Sequence, residues 1–270
     1  VDVDGDGRQE VMLSLTSSRW NFSDPDGVAH VALLGWRNGR VVDVTDARMP
    51  DVAYYFVRDI WTGDFNGDGI DDAFVSTHGP EIPFSEGPVP GEQSGLLLSD
   101  GRGRFVDATA NLPAMNDFGH GAAIADFDGD GDLDIVSNDL GANDGPRRVE
   151  LLLNDGSGRF ERAGEWVDAP SPPDAVFGPG FDAYGGPYRI ALADVGADGV
   201  PDLFLHHLLT AGSFTDVEGM GFAVNDGSGR FAPLLREDLG DPQLPPGRGM
   251  FTDRIRSGDF DNDGDLDLLV

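Results

Sequence analysis

Short apolar runs separated by turns rich in glycine and aspartate recur along the whole chain. The longest, such as Val31-Ala-Leu-Leu34, are the length of a single β-strand. Runs of this length bounded by turn residues predict strands rather than helices, and helical periodicity is nowhere sustained. One set of runs, strand A, covers Ile60–Gly63, Ala122–Ala125, Ile190–Ala193 and Ile255–Gly258. A second, strand B, covers Val11–Leu15, Ala73–Thr77, Ile135–Asn138, Leu203–His206 and Leu268 onward.

Between A and B lies an acidic loop of one design, written five times. The copies begin at Asp2, Asp64, Asp126, Asp194 and Asp259, so the spacings are 62, 62, 68 and 65 residues. A repeating period is the mark of a repeat architecture and outranks any local assignment. Carboxylates or amides at loop positions 1, 3, 5 and 9, with glycine at 6, crowd hard oxygens into one small volume. Such a group repels itself unless a cation sits within it, and calcium suits six to eight flexible oxygen ligands.

A second motif keeps the same phase. It reads Leu96-Leu-Leu-Ser-Asp-Gly-Arg-Gly-Arg-Phe105, Leu151-Leu-Leu-Asn-Asp-Gly-Ser-Gly-Arg-Phe160 and Phe222-Ala-Val-Asn-Asp-Gly-Ser-Gly-Arg-Phe231, with a weaker copy at 33–41. Asp-Gly or Asn-Gly between apolar runs is a strong hairpin signal. Strand C enters this hairpin and strand D leaves it at Phe105, Phe160 or Phe231. Four antiparallel strands in each unit of about 60 residues describe a propeller blade. The predicted fold is therefore all-β, a β-propeller with units at roughly 1–56, 57–118, 119–186, 187–252 and 253–270. The first unit lacks strand A and the last is partial, which suggests an arc of a larger ring, seven blades being within the known range.

The acidic loops and glycine hairpins are expected to share one face of the blades. The B-to-C and D-to-A connections, variable in length and rich in proline and aromatics at 79–95 and 169–187, are expected to share the other. Variation on a fixed scaffold is where binding usually lives. The aromatics there, including Trp20, Phe22, Tyr54, Tyr55, Phe181 and Tyr184, suit either stacking on sugar rings or packing beneath long loops.

Composition narrows the function classes. The chain has 270 residues, no cysteine and a formal net charge of −31, and all 18 basic residues are arginine. That charge argues against nucleic acid, whose phosphates it repels. Five divalent ions would offset about ten of the negative charges. No apolar run approaches the roughly 18 residues of a membrane-spanning helix. The chain opens inside a motif without an initiator methionine, so an internal piece of a longer, secreted protein is expected.

The acidic loop before one strand, paired with Asn-Asp-Gly-Ser-Gly-Arg-Phe after another, resembles the FG-GAP/VCBS repeat of integrin α-subunit propellers and of many bacterial surface proteins. The resemblance covers essentially the whole chain and is sharpest at 126–160 and 259–270. It implies calcium bound through positions 1, 3, 5 and 9 and the carbonyl of position 7. Carried over, the ligands are Asp126, Asp128, Asp130, Asp132 (carbonyl) and Asp134, and likewise Asp259, Asp261, Asp263, Asp265 (carbonyl) and Asp267. The second loop offers Asp64, Asn66, Asp68, Ile70 (carbonyl) and Asp72. The first offers Asp2, Asp4, Asp6, Arg8 (carbonyl) and Glu10, whose longer carboxylate at position 9 should still reach. The fourth offers Asp194, Asp198, Val200 (carbonyl) and Asp202, but Gly196 deletes the ligand at position 3, so this site should be weak or empty. Up to five calcium ions are thus expected.

EF-hand loops begin the same way but require an acidic residue at position 12 and a following helix. Position 12 here holds Leu13, Val75, Ser137, Leu205 and Val270, each in a strand-like run. Asp-Gly loops also make good turns without any metal, yet five in register are hard to explain so. A possible ligand rim comprises Arg58, His120, Tyr188, Arg189, Arg254 and His206, near the expected channel mouth or the variable side, with a merely solvated rim as the plainer account. No nucleophile elbow or histidine pair of metal-motif spacing is present. The expected function is a non-enzymatic binding or adhesion module, extracellular or on a cell surface, with structural calcium and a protein or glycan ligand on the variable face. The alternative is a lectin-like or polysaccharide-processing propeller of lyase type with its site at the channel mouth.

Overall fold

The computed structural model describes residues 1–15, 30–80, 90–142, 148–167, 187–196, 198–207, 220–234, 256–258 and 267–269. The predicted fifth acidic loop up to Asp265, Arg254 and the aromatics Trp20, Phe22, Phe181 and Tyr184 lie outside them, as do the side chains of Tyr188, His206 and Asp267. Seventeen strands dominate the described residues. The helical elements described along their whole length are short: one four-residue turn, α1 (Thr45–Arg48), and a three-residue 3₁₀ turn at Thr109–Asn111.

Each sheet follows chain order with antiparallel neighbours, the up-and-down pattern of a propeller blade. The first contains β1 (Val11–Leu15), β2 (His30–Arg37) and β3 (Arg40–Asp43) and lacks a strand A, as its phase predicts. Next come β4 (Val57–Gly63), β5 (Asp72–Thr77), β6 (Gly95–Ser99) and β7 (Phe105–Asp107). The third has β8 (Ala122–Ala125), β9 (Asp134–Asp139), β10 (Arg148–Asn154) and β11 (Phe160–Val167). The fourth has β12 (Pro187–Ala193), β13 (Asp202–His207), β14 (Met220–Asn225) and β15 (Phe231–Leu234). A last pair joins β16 (Arg256–Gly258) to β17 (Asp267–Leu269).

Several strand starts differ from the sequence expectation for physical reasons. β4 and β12 begin three residues early, at Val57 and Pro187. Each carries a register shift that leaves Arg58 or Tyr188 as the extra residue of a bulge. A bulge interrupts the two-residue alternation on which the pattern reading depends and re-aims one side chain. Strand B begins at loop position 9 itself, because Asp72, Asp134 and Asp202 already pair with strand A. β5 and β9 are buried along their whole length, polar ends included.

The chain divides into two compact units. The first comprises residues 1–120, 141–145 and 154–161, and its core gathers Val3, Leu33, Ala73, Val75, Leu97 and Phe105. The second comprises 121–140, 146–153 and 162–270, with a core of Ala123, Phe127, Val136, Leu151, Leu203 and Phe231.

Candidate metal loops and their surroundings

The acidic loops are shaped first by their own side chains. Position 1 caps the loop: Asp64 accepts the backbone N–H groups of Asp68 (3.1 Å) and Gly69 (2.7 Å), and Asp2 and Asp194 do the same in their loops. Position 5 accepts the N–H of position 7, as Asp130 does from Asp132 at 3.0 Å. These are aspartate turns, which hold a backbone bend through a local side-chain acceptor. The glycines at positions 4 and 6 complete the bend at positive φ, with Gly129 at 78° and Gly131 at 99°, a region that L side chains rarely enter.

Position 9 does a different job. Asp72 is wholly buried, with Oδ2 accepting the Phe65 N–H (2.9 Å) and Oδ1 the Ser99 N–H (2.7 Å). Asp202 repeats this with Val195 and Asn225. The carboxylate thus ties the loop to strand C of its own blade. Burial pushes the Asp72 carboxyl up to about 6 against the pull of those two amides, and the charges of Asp68 and Asp64 add to the rise. Asp202 is raised for the same first cause. Asp128 at position 3 is raised too, by burial and by its neighbours Asp130 and Asp126. A cation placed among these carboxylates would favour their charged forms and oppose each of these shifts.

Among the described residues, two sets of three carboxylates converge so that one oxygen from each lies within 4.8 Å of the others: Asp2, Asp4 and Glu10, and Asp126, Asp128 and Asp134. These are positions 1, 3 and 9 of the first and third loops. The position 5 aspartates, Asp6 and Asp130, stand outside these sets. The second loop carries an amide, Asn66, at position 3, where these two carry a carboxylate. Hard oxygens so placed suit an oxygen-seeking divalent cation, so the residues fit the group the resemblance implies.

The glycine hairpins lie against these loops, one repeat out of step. Asn154 Nδ2, from the third blade's hairpin, donates to the Phe65 carbonyl in the second blade's loop at 2.8 Å. Asn225 repeats the bond one blade on, to the Phe127 carbonyl, also at 2.8 Å. The position 2 phenylalanines are fully buried and meet strand D of that next blade edge-on, Phe65 against Phe160 and Phe127 against Phe231, each with ring centroids 5.7 Å apart. A Cβ on Gly229 would come within 3.2 Å of Leu151 and 3.5 Å of the Asp128 Cβ. In sequence Asn154 and Asn225 read as turn formers; their reach across 89 and 98 residues is a tertiary fact that local patterning does not carry.

The first loop departs from this scheme. The facing hairpin has Ser99 where the others have asparagine, and Gly103 packs against Asp4. Arg48, the last residue of α1, forks instead across two predicted ligands: Nη2 meets Asp4 Oδ2 at 2.9 Å and Nη1 meets Glu10 Oε1 at 3.0 Å. Glu10 Oε2 accepts the Val3 N–H. The loop opens on a cavity of about 390 Å³ that Trp36, Arg37 and Asn38 also line.

The fourth loop keeps positions 1 and 5, but Val195 at position 2 is exposed, unlike Phe65 and Phe127. Of the expected ligand rim, Arg58 and His120 meet within the first unit. Arg58 Nη2 lies 2.7 Å from His120 Nε2, and the guanidinium sits over the Phe56 ring at 4.7 Å. His120 stacks parallel on His78 at 5.3 Å, and Phe56 stacks on His78 at 4.3 Å. Both histidines are buried, so the plainer account of a solvated rim does not hold for His120. His78, which nothing in the sequence singled out, is wholly buried. Burial, then the nearby Arg58 charge, pushes its imidazole down to about 3. Arg189 lies half-buried in the second unit, beside the Tyr188 bulge.

Within these blade-type antiparallel sheets, acidic loops and Asp-Gly hairpins join successive strands. Accordingly, the chain carries an FG-GAP-like repeat, matched over residues 90–137, a stretch that includes β6 to β8, the whole third acidic loop and the first four residues of β9. It is also similar to cartilage acidic protein 1: 24% identical to the mouse protein over the whole of this chain, 29% to the human protein over 65% of it, and 33% to the Xenopus tropicalis protein over 63%. The chain spans about half the length of the mouse relative and about a quarter of the other two.

Proposed function

We propose that this chain is a calcium-stabilised, extracellular binding module in which the metal is structural and the variable connections carry recognition. The observation that carries the reading is the convergence of Asp126, Asp128 and Asp134 within 4.8 Å in a loop already bent to shape by its own aspartates. Calcium would be held by positions 1, 3, 5 and 9 of the loops, foremost at 126–134 and then at 64–72. When bound, it supplies positive charge that relieves the mutual repulsion of these carboxylates.

An extracellular setting is supported by relatives named for cartilage, and by sites of a kind that fill at the millimolar calcium found outside cells. Among the described residues no helix is long and apolar enough to cross a membrane. Adhesion to a protein or glycan is the activity this architecture suits best, because one face is uniform from blade to blade and the other varies in length and composition.

The test is titration calorimetry of the chain with calcium alone, followed by a glycan array and a uronic-acid lyase assay in calcium. Heat of binding that falls by one site's share in Asp128→Asn supports the metal reading; a flat titration of the wild-type chain overturns it. Turnover in the lyase assay would replace the binding role with catalysis.

A further inference from the structure

Loop 1 differs from its siblings in one respect that bears on the calcium reading, on which this inference rests. The side chains at positions 3 and 9, Asp4 and Glu10, already share a cation belonging to the protein. Arg48 reaches both at 2.9 and 3.0 Å in a two-pronged grip. The pairing is largely shielded, with side-chain exposures of 17% for Arg48, 23% for Asp4 and 7% for Glu10. A guanidinium is always charged and its planar fork matches two carboxylate oxygens.

Comparison with loop 2 shows what Arg48 replaces. There, position 9 is tied by two backbone amides, from Phe65 and Ser99. In loop 1 the first tie survives as Val3 N–H to Glu10 Oε2, while Glu10 Oε1 goes to Arg48. The extra methylene of glutamate carries the carboxylate to where the arginine can hold it. α1, which positions Arg48, is anchored by Thr45, whose hydroxyl accepts the Leu33 N–H at 2.9 Å.

We infer that Arg48 is the built-in cation of loop 1, so that this loop is held without calcium and binds it far more weakly than loop 3. A divalent ion among Asp2, Asp4 and Glu10 would lie within a few ångströms of a like charge in a partly shielded site, where such repulsion is poorly screened.

The experiment compares calcium stoichiometry and melting temperature of the whole chain with those of Arg48→Gln, Arg48→Lys and Asp128→Asn. Arg48→Gln is expected to gain one calcium site, or to tighten one by at least about tenfold, and to melt lower than wild type in chelator. Arg48→Lys keeps the charge without the fork and should gain no site. Asp128→Asn should lose one site whatever stands at position 48. Loss of a site in Arg48→Gln, an unchanged count and affinity, or Arg48→Lys behaving as Arg48→Gln would each overturn the inference. If wild type and Arg48→Gln both fail to bind calcium, the calcium reading fails by itself. Melting in chelator then still decides whether Arg48 holds the loop, a drop supporting that role and no drop ending it.

Discussion

Asn225 donates its side-chain amide to the backbone carbonyl of Phe127, 98 residues earlier, at 2.8 Å. Asn154 makes the same bond to Phe65. The acidic loop of one blade is therefore finished by the hairpin of the next, and the bond is buried in both copies.

Replacing Asn154 or Asn225 by alanine leaves a buried carbonyl without its donor. A loss of about 1–3 kcal/mol is expected for each, read as a lower urea midpoint at unchanged slope. A shift of a few tenths would mean that water or a neighbour takes over the bond.

Gly229 combines positive φ (73°) with a backbone pressed onto Leu151 and Asp128. Gly229→Ala should cost about 1–2 kcal/mol from backbone conformation, with contact strain in addition. Gly199 is the control, also at positive φ but with nothing within 4 Å of where an added methyl would stand. Its alanine variant should lose the conformational part alone, so the difference in thermal midpoints isolates the contact.

Calcium removal should lower the melting temperature. A site filled at ten times its Kd contributes about 1.4 kcal/mol, so two or three sites make a shift of several degrees that chelator abolishes. Asp128→Asn should show a smaller response than wild type because one contributor is gone. Identical curves with and without chelator would contradict it.

His78 gives the acid behaviour a sign. Its folded-state pKa, about 3, lies below the ordinary value of 6.5, so in between the unfolded chain binds the proton more readily. Stability from neutral His78 is present above pH 6.5 and is lost as pH falls toward 3, by on the order of 1 kcal/mol per pH unit. His78→Phe, which can keep the stack on Phe56, should flatten that part of the pH profile of urea midpoints. A slope equal to that of wild type would rule the imidazole out as its source.

Much of the blade was legible in the sequence because its signals are local. Apolar runs such as Leu96–Leu98 and the Asp-Gly turns each act within ten residues, and the strand order follows from their period. The loop shape was legible for the same reason, since Asp64 caps amides only four and five residues on. What could not be read depends on distant partners. Arg48 stands in an unremarkable Asp-Ala-Arg-Met stretch, and only the fold brings it to Asp4 and Glu10. The bulges at Arg58 and Tyr188 hide in runs whose alternation they break. His78 and His120 are 42 residues apart and have no motif spacing, yet they stack because two chain segments end side by side.

The hairpin at 154–161 clusters with the unit that holds the preceding blade rather than with most of its own sheet. The exchangeable module of this chain is therefore offset from the visible sheet: an acidic loop travels with the turn that follows it one repeat later. Because these partnerships overlap along the sequence, no single cut between the first acidic loop and the hairpin of the fourth sheet spares them all. A cut between the second and third sheets severs one and leaves Phe65 uncovered, whereas a cut between strands B and C of the third severs two, stripping Phe65 and Phe127 together. Shortened or grafted versions therefore need a substitute turn to cap the last loop they retain.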